Sequence, residues 1–160
     1  MPSPAERVSD AAGLERYLHE HIPLSRALGV RVEHLGPELA RLSVPLGPNL
    51  NHRLTAFGGS VASLAILAAW GWLLARLADR LPRPTLVIQR QTVEYLSPIS
   101  AAFEASCPAP AHDAWAHFLR ALDARGRGRI ELAAEITSAG QVAARFSGSY
   151  VAVAAAGIAP

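Results

Sequence analysis

The order of apolar and polar positions predicts which elements the first third of the chain forms. Residues 11–21 carry apolar side chains at the spacing of one helix face, and Pro23 limits the length of that helix. Residues 29–46 alternate apolar with polar side chains on both sides of a turn at Gly36–Pro37. A period of two is typical of a half-buried β-hairpin. The sequence therefore predicts a helix, a hairpin and then an irregular loop over 47–60.

The longest uncharged stretch of the chain, 22 residues, lies between Arg53 and Arg76. About 20 apolar residues can span a bilayer, so the length alone would allow a membrane helix. Glycine, serine and threonine interrupt the run, however, and charged residues continue the same helix beyond Arg76. This pattern favours a helix over about 58–81 that is buried on all sides inside a protein, and no membrane span. Pro82 and Pro84 would end it.

The second half of the chain reads mainly as β-strands. The sequence predicts strands over 85–99 and 102–109, a short helix over 110–124, and two strands within 125–154 around a turn at 138–140. The whole pattern fits an α+β domain in which a curved antiparallel sheet wraps around one long central helix. We expect a single domain over 1–160, with residues 1–10 flexible.

Composition narrows the function classes without choosing one. The chain of 160 residues is 51% hydrophobic and 18% charged, which suits one sizeable core. A formal net charge of +2 gives no electrostatic case for a nucleic-acid partner. The single cysteine, Cys107, excludes an intramolecular disulfide, and His112 and His117 have no nearby third ligand, so we expect no metal and no cofactor. Residues 1–13 lack the apolar stretch of a secretory signal, which makes the cytoplasm the expected compartment.

Three ordered segments of this sequence resemble one family. The segments are IPLSRALGVRVEHL (22–35), NHRLTAFGGS (51–60) and VIQRQTVEYLSPI (87–99), and together they look like the YiiD C-terminal-type thioesterases. The resemblance implies a hot-dog fold and a homodimer or tetramer with continuous sheets. It also implies hydrolysis of an acyl thioester, acyl-CoA or acyl carrier protein, at a site between protomers. Coenzyme A or phosphopantetheine would then be part of the substrate and not a cofactor.

The loop before the long helix also resembles the motif of phenylacetyl-CoA-type hot-dog thioesterases, Asn-x-x-Gly-x-x-His-Gly-Gly. Asn51 falls on the Asn, and Gly58 and Gly59 fall on the paired glycines. Leu54 stands where glycine is usual and Phe57 where histidine is usual. The position of the helix carboxylate that acts as base or nucleophile in those enzymes is Ile66 here. The resemblance therefore implies a site for the oxyanion, but it does not imply which residue acts as the catalytic base.

The catalytic candidates implied by this resemblance are Asn51, His52, Gly58 and Gly59. A helix start exposes unpaired N–H groups, which at Gly58 and Gly59 could stabilise the oxyanion of a thioester carbonyl. The alternative is that the glycines only permit close packing. Asn51 could orient a water or the carbonyl, or only shape the loop as an Asx turn. His52 could act as general base, or only cap the loop locally.

Further residues are candidates for substrate binding. Thr55 and Ser60 could touch substrate, although capping of the long helix is the more ordinary role for both. The other substrate-binding candidates are Phe57, Ser63, Leu64 and Leu67, of which the last three would hold the acyl group along the helix.

A polar interruption in the strand after the long helix supplies the last candidates. Gln89 and Arg90 could meet the substrate near the dimer axis, or hydrogen-bond to each other's copies across it. Glu94 is the carboxylate nearest in sequence and could replace the missing base. A non-catalytic acyl-binding protein and a hot-dog hydratase or dehydratase remain alternative functions.

Overall fold

The computed structural model describes residues 8–80 and 82–155. It contains four α-helices and six β-strands, with one 3-10 turn at Gly47–Asn49. The helices are α1 (Ala11–His21), α2 (Pro23–Leu28), α3 (Gly58–Arg76) and α4 (His112–Arg125). The strands are β1 (Arg31–Leu35), β2 (Leu39–Val44), β3 (Thr85–Tyr95), β4 (Phe103–Pro108), β5 (Arg127–Ser138) and β6 (Gln141–Val153).

All six strands form one antiparallel sheet in the order β1-β2-β4-β5-β6-β3. Strand β3 therefore lies at one edge and pairs with β6 alone. A β-bulge between Ile88 and Arg90 shifts its register against β6. Strand β3 is thus the long edge strand of the sheet, 11 residues in length.

Helix α3 packs against five of the six strands, from β2 through β6, which confirms the curved sheet around a central helix. Its composition would allow it to cross a membrane, but 61% of its most apolar window is buried within the protein. Small residues permit this close packing: a Cβ at Gly71 would come within 2.9 Å of the Leu14 side chain of α1. The uniform apolarity of α3 is thus explained by burial on nearly every side.

Two boundaries differ from the expectation. Helix α3 ends at Arg76, because the backbone turns more tightly at Leu77, whose N–H donates to carbonyls of the last helical turn. Residue 81, the expected end, lies outside the described residues, as do the first seven residues of the expected flexible segment. Strand β3 ends at Tyr95, because Leu96 and Ser97 both donate to the Ala143 carbonyl and Pro98 follows.

Helix α2, six residues long, was not expected from the sequence. Pro23 opens it at a first-turn position instead of only ending α1. Gly29 ends it in the left-handed conformation, with φ of 75°. The loop over 45–57 then runs from the end of β2 to the start of α3, where the candidate residues are concentrated.

Candidate active site

The start of helix α3 offers two backbone N–H groups that make no hydrogen bond to the described residues. Phe57 is the N-cap residue, and no side chain of residues 8–80 or 82–155 caps the helix. The N–H groups of Ser60 and Val61 both donate to the Phe57 carbonyl, at 2.9 and 3.2 Å. The N–H groups of Gly58 and Gly59 have no hydrogen-bond partner in the described part of the chain. The expected capping by Thr55 or Ser60 is therefore wrong, and two donors remain available at the helix start.

Asn51 shapes the loop that leads to this helix start. Its Oδ1 accepts from the backbone N–H groups of Arg53 (2.8 Å) and Thr55 (3.2 Å). Its Nδ2 donates to Thr55 Oγ1 at 2.9 Å and to the Ala56 carbonyl at 3.3 Å. The side-chain amide is thus engaged on both ends by its own loop. This geometry favours the Asx-turn role of Asn51 over direct contact with a substrate.

Leu54 holds a backbone conformation that suits glycine. Its φ is 61°, in the left-handed region, and its side chain is 72% exposed. This is the position at which the phenylacetyl-CoA-type motif has glycine, so the loop keeps the glycine geometry with a leucine in it. A non-glycine residue in that region costs about 1 kcal/mol or more. The surrounding Asn51 hydrogen bonds hold it there.

Buried hydrogen bonds fix the loop to the rest of the protein. Asn49 is 1% exposed, and its Nδ2 donates to the carbonyls of Leu28 and Pro45 at 2.9 and 2.8 Å. The Asn49 carbonyl accepts from the Phe57 N–H at 2.7 Å. The loop is therefore anchored directly before the helix start.

An open cleft of about 540 Å³ lies beside the helix start. One wall is the end of the loop and the first turn of α3, and the other is the segment over 95–99 that follows β3. The Ala56 N–H donates to the Ile99 carbonyl at 2.8 Å, which joins the two walls. The lining residues are Thr55, Ala56, Gly58, Gly59, Val61, Tyr95, Leu96, Ser97, Pro98 and Ile99. Thr55, Gly58 and Gly59 are thus brought together as expected.

Two exposed aromatic side chains flank the paired glycines. Tyr95 is 55% exposed, and its hydroxyl donates to the Gly58 carbonyl at 2.8 Å. A Cβ at Gly58 would lie 3.3 Å from the same hydroxyl, so the ring packs closely on this glycine. Phe57 is 56% exposed and packs against Gly59 in the same way. A Cβ at Gly59 would force the Phe57 ring to move, whereas at Gly58 a small shift of the Tyr95 ring would make room for it.

The residues expected to supply a base or a charge lie apart from this cleft. The His52 side chain is exposed and makes no hydrogen bond to the described residues. The Tyr95 side chain contacts α3, so it lies on the face of the sheet that is directed toward this helix. Because neighbouring residues of a strand point to opposite faces, Glu94 lies on the outer face, opposite Arg145 of β6. Beyond the bulge, Arg90 pairs with Ser149 and lies on that outer face too.

Gln91, and not Arg90, is the polar residue in this part of β3 that faces the helix. It pairs with Gly148 in β6 and shares the face of Tyr95. Gln89 is the extra residue of the bulge and is exposed at the edge of the sheet. Within one protomer the register of β3 therefore directs Arg90 and Glu94 away from α3. The expected contact of Gln89 or Arg90 with the substrate near the dimer axis, and the role of Glu94 as a base, stay predictions.

A second cleft, of about 520 Å³, begins one turn further along α3. Its lining is almost entirely apolar: Ile22, Leu24, Ser63, Ile66, Leu67, Trp70, Leu86, Val87 and Ile88. The Ser63 hydroxyl donates to the Gly59 carbonyl at 2.7 Å, so its only donor is used within the helix. Ser63 and Leu67 thus lie where an acyl group would need them. Leu64 does not, because it is fully buried in the core.

The strongly shifted pKa values belong to the core and not to either cleft. Burial raises the pKa of the Cys107 thiol to about 12. Burial also raises the pKa of the Tyr150 hydroxyl, with a smaller contribution from Cys107. That hydroxyl donates to the Ile66 carbonyl at 2.9 Å. Both groups therefore stay neutral and structural at neutral pH.

Comparison with protein families decides the classification. The model of the YiiD_C family, described as "Putative thioesterase (yiiD_Cterm)", matches residues 11–154. The chain belongs to this family. The match includes the loop, the helix start and β3, so all three segments that suggested the family lie within it.

Solved structures confirm the hot-dog fold of this YiiD_C chain. A protein of unknown function from Chlorobaculum tepidum is 25% identical with a TM-score of 0.86, over 92% of this chain and 99% of that one. A "putative thioesterase" from Shewanella oneidensis is 26% identical with a TM-score of 0.76, over 89% and 96%. A Pseudomonas aeruginosa protein described as "Probable Thioesterase" is 24% identical with a TM-score of 0.77, over 97% and 99%.

Sequence reasoning missed two residues of these clefts. Tyr95 is not among the sequence candidates, although its hydroxyl donates to the Gly58 carbonyl at the helix start. Trp70 is not among them either, but it is half-buried and lines the second cleft. No motif marks either position, and the face on which Tyr95 lies depends on the register of β3 against β6.

Proposed function

We propose that this protein hydrolyses an acyl thioester whose carbonyl oxygen accepts hydrogen bonds from the N–H groups of Gly58 and Gly59. The proposal depends mainly on one observation: these two N–H groups have no acceptor among the described residues, and they line an open cleft at the start of a 19-residue helix. Charge that develops on the oxygen is stabilised by such fixed donors and by the helix dipole. Membership of a family described as thioesterases supports the same reaction.

In the proposed reaction a water oxygen adds to the carbonyl carbon, and the carbon–sulfur bond then breaks. The proton taken from water ends on the sulfur, so that the products are a free carboxylic acid and a free thiol. The substrate is a thioester of coenzyme A or of the phosphopantetheine of an acyl carrier protein. In either case the thiol carrier is consumed as substrate and is not a cofactor.

A second copy of the chain completes the site in this proposal. Strand β3 pairs with β6 along one edge, while its other edge has no partner strand within the described residues. A long unpaired edge favours pairing with another strand. A two-fold pairing of β3 with β3 would make one continuous sheet, with Gln89 and Arg90 near the axis.

His52 is the proposed base. Its ring is exposed and makes no hydrogen bond to the described residues, so both ring nitrogens can face a water. The described lining of the first cleft contains no carboxylate and no imidazole, so in this proposal the base comes from outside that lining, and His52 is the histidine nearest in sequence to the helix start. Asn51 then has the supporting role of holding the loop that carries His52.

Thiol release from acyl-CoA and acyl-pantetheine thioesters tests the proposal. The wild-type protein should release thiol, and His52→Ala should lower kcat at least tenfold, since general-base catalysis contributes about 10²–10⁴-fold. His117→Ala is the matched control, because His117 is equally exposed but lies on α4. Full activity of His52→Ala would exclude histidine as the base, and binding without any thiol release would favour the alternative function of an acyl-binding protein.

A further inference from the structure

The two clefts border one face of α3, and together they are called the groove here. Gly59, Ser63, Ile66 and Trp70 follow one another at intervals of four, three and four residues, so they share that face. All four are partly exposed, whereas most of the helix is buried. The Ser63 hydroxyl donates to the Gly59 carbonyl, so a residue that lines the second cleft is a neighbour of one that lines the first. The two clefts therefore lie next to each other along the helix.

The opposite wall of the groove is also apolar. Leu86 and Ile88 lie on the face of β3 that is directed toward α3, and Ile22 and Leu24 close the side near α2. With the Ser63 hydroxyl bonded to Gly59, the second cleft presents almost no unused polar group to a ligand. Such a lining suits an aliphatic chain and would disfavour a charged or hydroxylated group.

Trp70 stands at the far end of this groove and is held in place. Its indole N–H donates to the Leu86 carbonyl at 3.1 Å, which joins α3 to the start of β3. Tyr17 of α1 stacks with the ring at a centroid distance of 6.4 Å. Directly beyond Trp70, the side chain of Leu14 packs against Gly71. Helix α1 therefore packs against the indole and against the α3 residue that follows it.

The distance along the helix sets a length for the ligand. Gly59 and Trp70 are 11 residues apart, which at 1.5 Å per residue is about 16 Å. An extended alkyl chain advances about 1.3 Å per carbon, as follows from a carbon–carbon bond of about 1.5 Å at tetrahedral angles. A chain that starts at the carbonyl near Gly59 would thus reach the indole after about ten to twelve carbons.

We propose that this groove binds the straight acyl chain of the substrate and that Trp70 limits its length to about ten to twelve carbons. The inference rests on the proposed thioesterase function and names its substrate class. The position of the apolar cleft next to the N–H groups of Gly58 and Gly59, on the same face of α3, argues for an acyl chain as the occupant. A second copy of this chain that fills the groove instead is an outcome of the test.

The test measures kcat/KM by thiol release for straight-chain acyl-CoAs of four to eighteen carbons. Trp70→Leu should move the preferred chain longer by about two to four carbons, because the smaller side chain extends the groove. Ile66→Phe should move it shorter, because the added ring lies in the middle of the groove. Val153→Phe, which adds the same ring at an exposed site outside both clefts, should leave the preference unchanged.

Binding of non-hydrolysable thioether analogues, measured by calorimetry, separates this inference from the reaction. Length-dependent binding that shifts in both groove variants supports it even where no thioester is hydrolysed, in which case only the proposed function fails. Hydrolysis with an unchanged length preference in both folded variants would overturn it. The inference would also be overturned if the variants weakened self-association in analytical ultracentrifugation and left the length preference unchanged, because a second copy of the chain would then occupy the groove.

Discussion

The two ends of helix α3 differ in how completely their hydrogen-bonding groups are paired and their side chains buried. We call the N-terminal end the open end and the C-terminal end the sealed end. At the start, two N–H groups have no partner in the described part of the chain, and the neighbouring rings of Phe57 and Tyr95 are more than half exposed. Toward the end, Trp72 is 2% exposed, its indole N–H donates to the Pro37 carbonyl at 3.1 Å, and Trp115 packs edge-on against its ring at 5.2 Å. The sealed end of the helix is thus packed into the core and stabilises the fold, whereas the open end has groups available to bind a ligand.

The largest effect should come from truncating an aromatic side chain at the sealed end. Trp72→Ala should lower the free energy of unfolding by about 3–5 kcal/mol, because it leaves a cavity in the core. Phe57→Ala removes a ring of similar kind at the open end, where exposure limits the expected loss to about 1 kcal/mol. Chemical denaturation of both variants measures the difference, and equal losses would contradict the contrast between the two ends.

Alkaline pH should also lower the stability of the fold, through a thiol that is buried in the core. The pKa of Cys107 is raised by burial from 9.0 to about 12, so between these values the folded state retains a proton that the unfolded state has lost. The stability present below pH 9 therefore falls as the pH rises toward 12, by at most about 1.4 kcal/mol per pH unit for one group.

Cys107→Ala tests this assignment. The variant should show a shallower loss of stability between pH 9 and 12 in denaturation experiments, with the remaining slope due to groups such as Tyr150, whose pKa burial also raises. An unchanged slope would mean that the Cys107 thiol does not stay protonated inside the fold.

A smaller effect of opposite sign is expected at the open end. Leu54→Gly should raise the free energy of unfolding by up to about 1 kcal/mol, because it relieves the left-handed backbone at φ of 61°. Leu50→Gly is the matched control on the same loop: Leu50 is also exposed but has φ of −73°, so glycine there should only destabilise. Destabilisation of similar size in both variants would show that Leu54 carries no strain.

The contrast between the two ends also explains how far the sequence could predict the structure. A long uncharged and mainly apolar run predicted the buried helix, and strand patterns, including the alternation of the hairpin, predicted all six strands to within a few residues, because such patterns follow from burial. The family motif predicted the helix start at Gly58 and Gly59.

The sequence did not settle which side chains face that helix start. A single bulge between Ile88 and Arg90 reverses the faces of the following residues, which removes Arg90 from the helix side and places Gln91 and Tyr95 on it. The role of Asn51 likewise depended on hydrogen bonds to its own loop. A base for catalysis is not marked by any pattern, and His52 remains a prediction.

The most direct test of the central claim removes one N–H group from the helix start. Proline fits the first position of a helix, and Phe57 already has the extended ψ of 129° that a following proline requires. Gly58→Pro deletes the donor, while Gly58→Ala is the matched control that keeps the donor and adds a Cβ near the same Tyr95 ring. We expect kcat for thioester hydrolysis to be about 10²–10³-fold lower in Gly58→Pro than in Gly58→Ala. Equal kcat in the two folded variants would contradict the account.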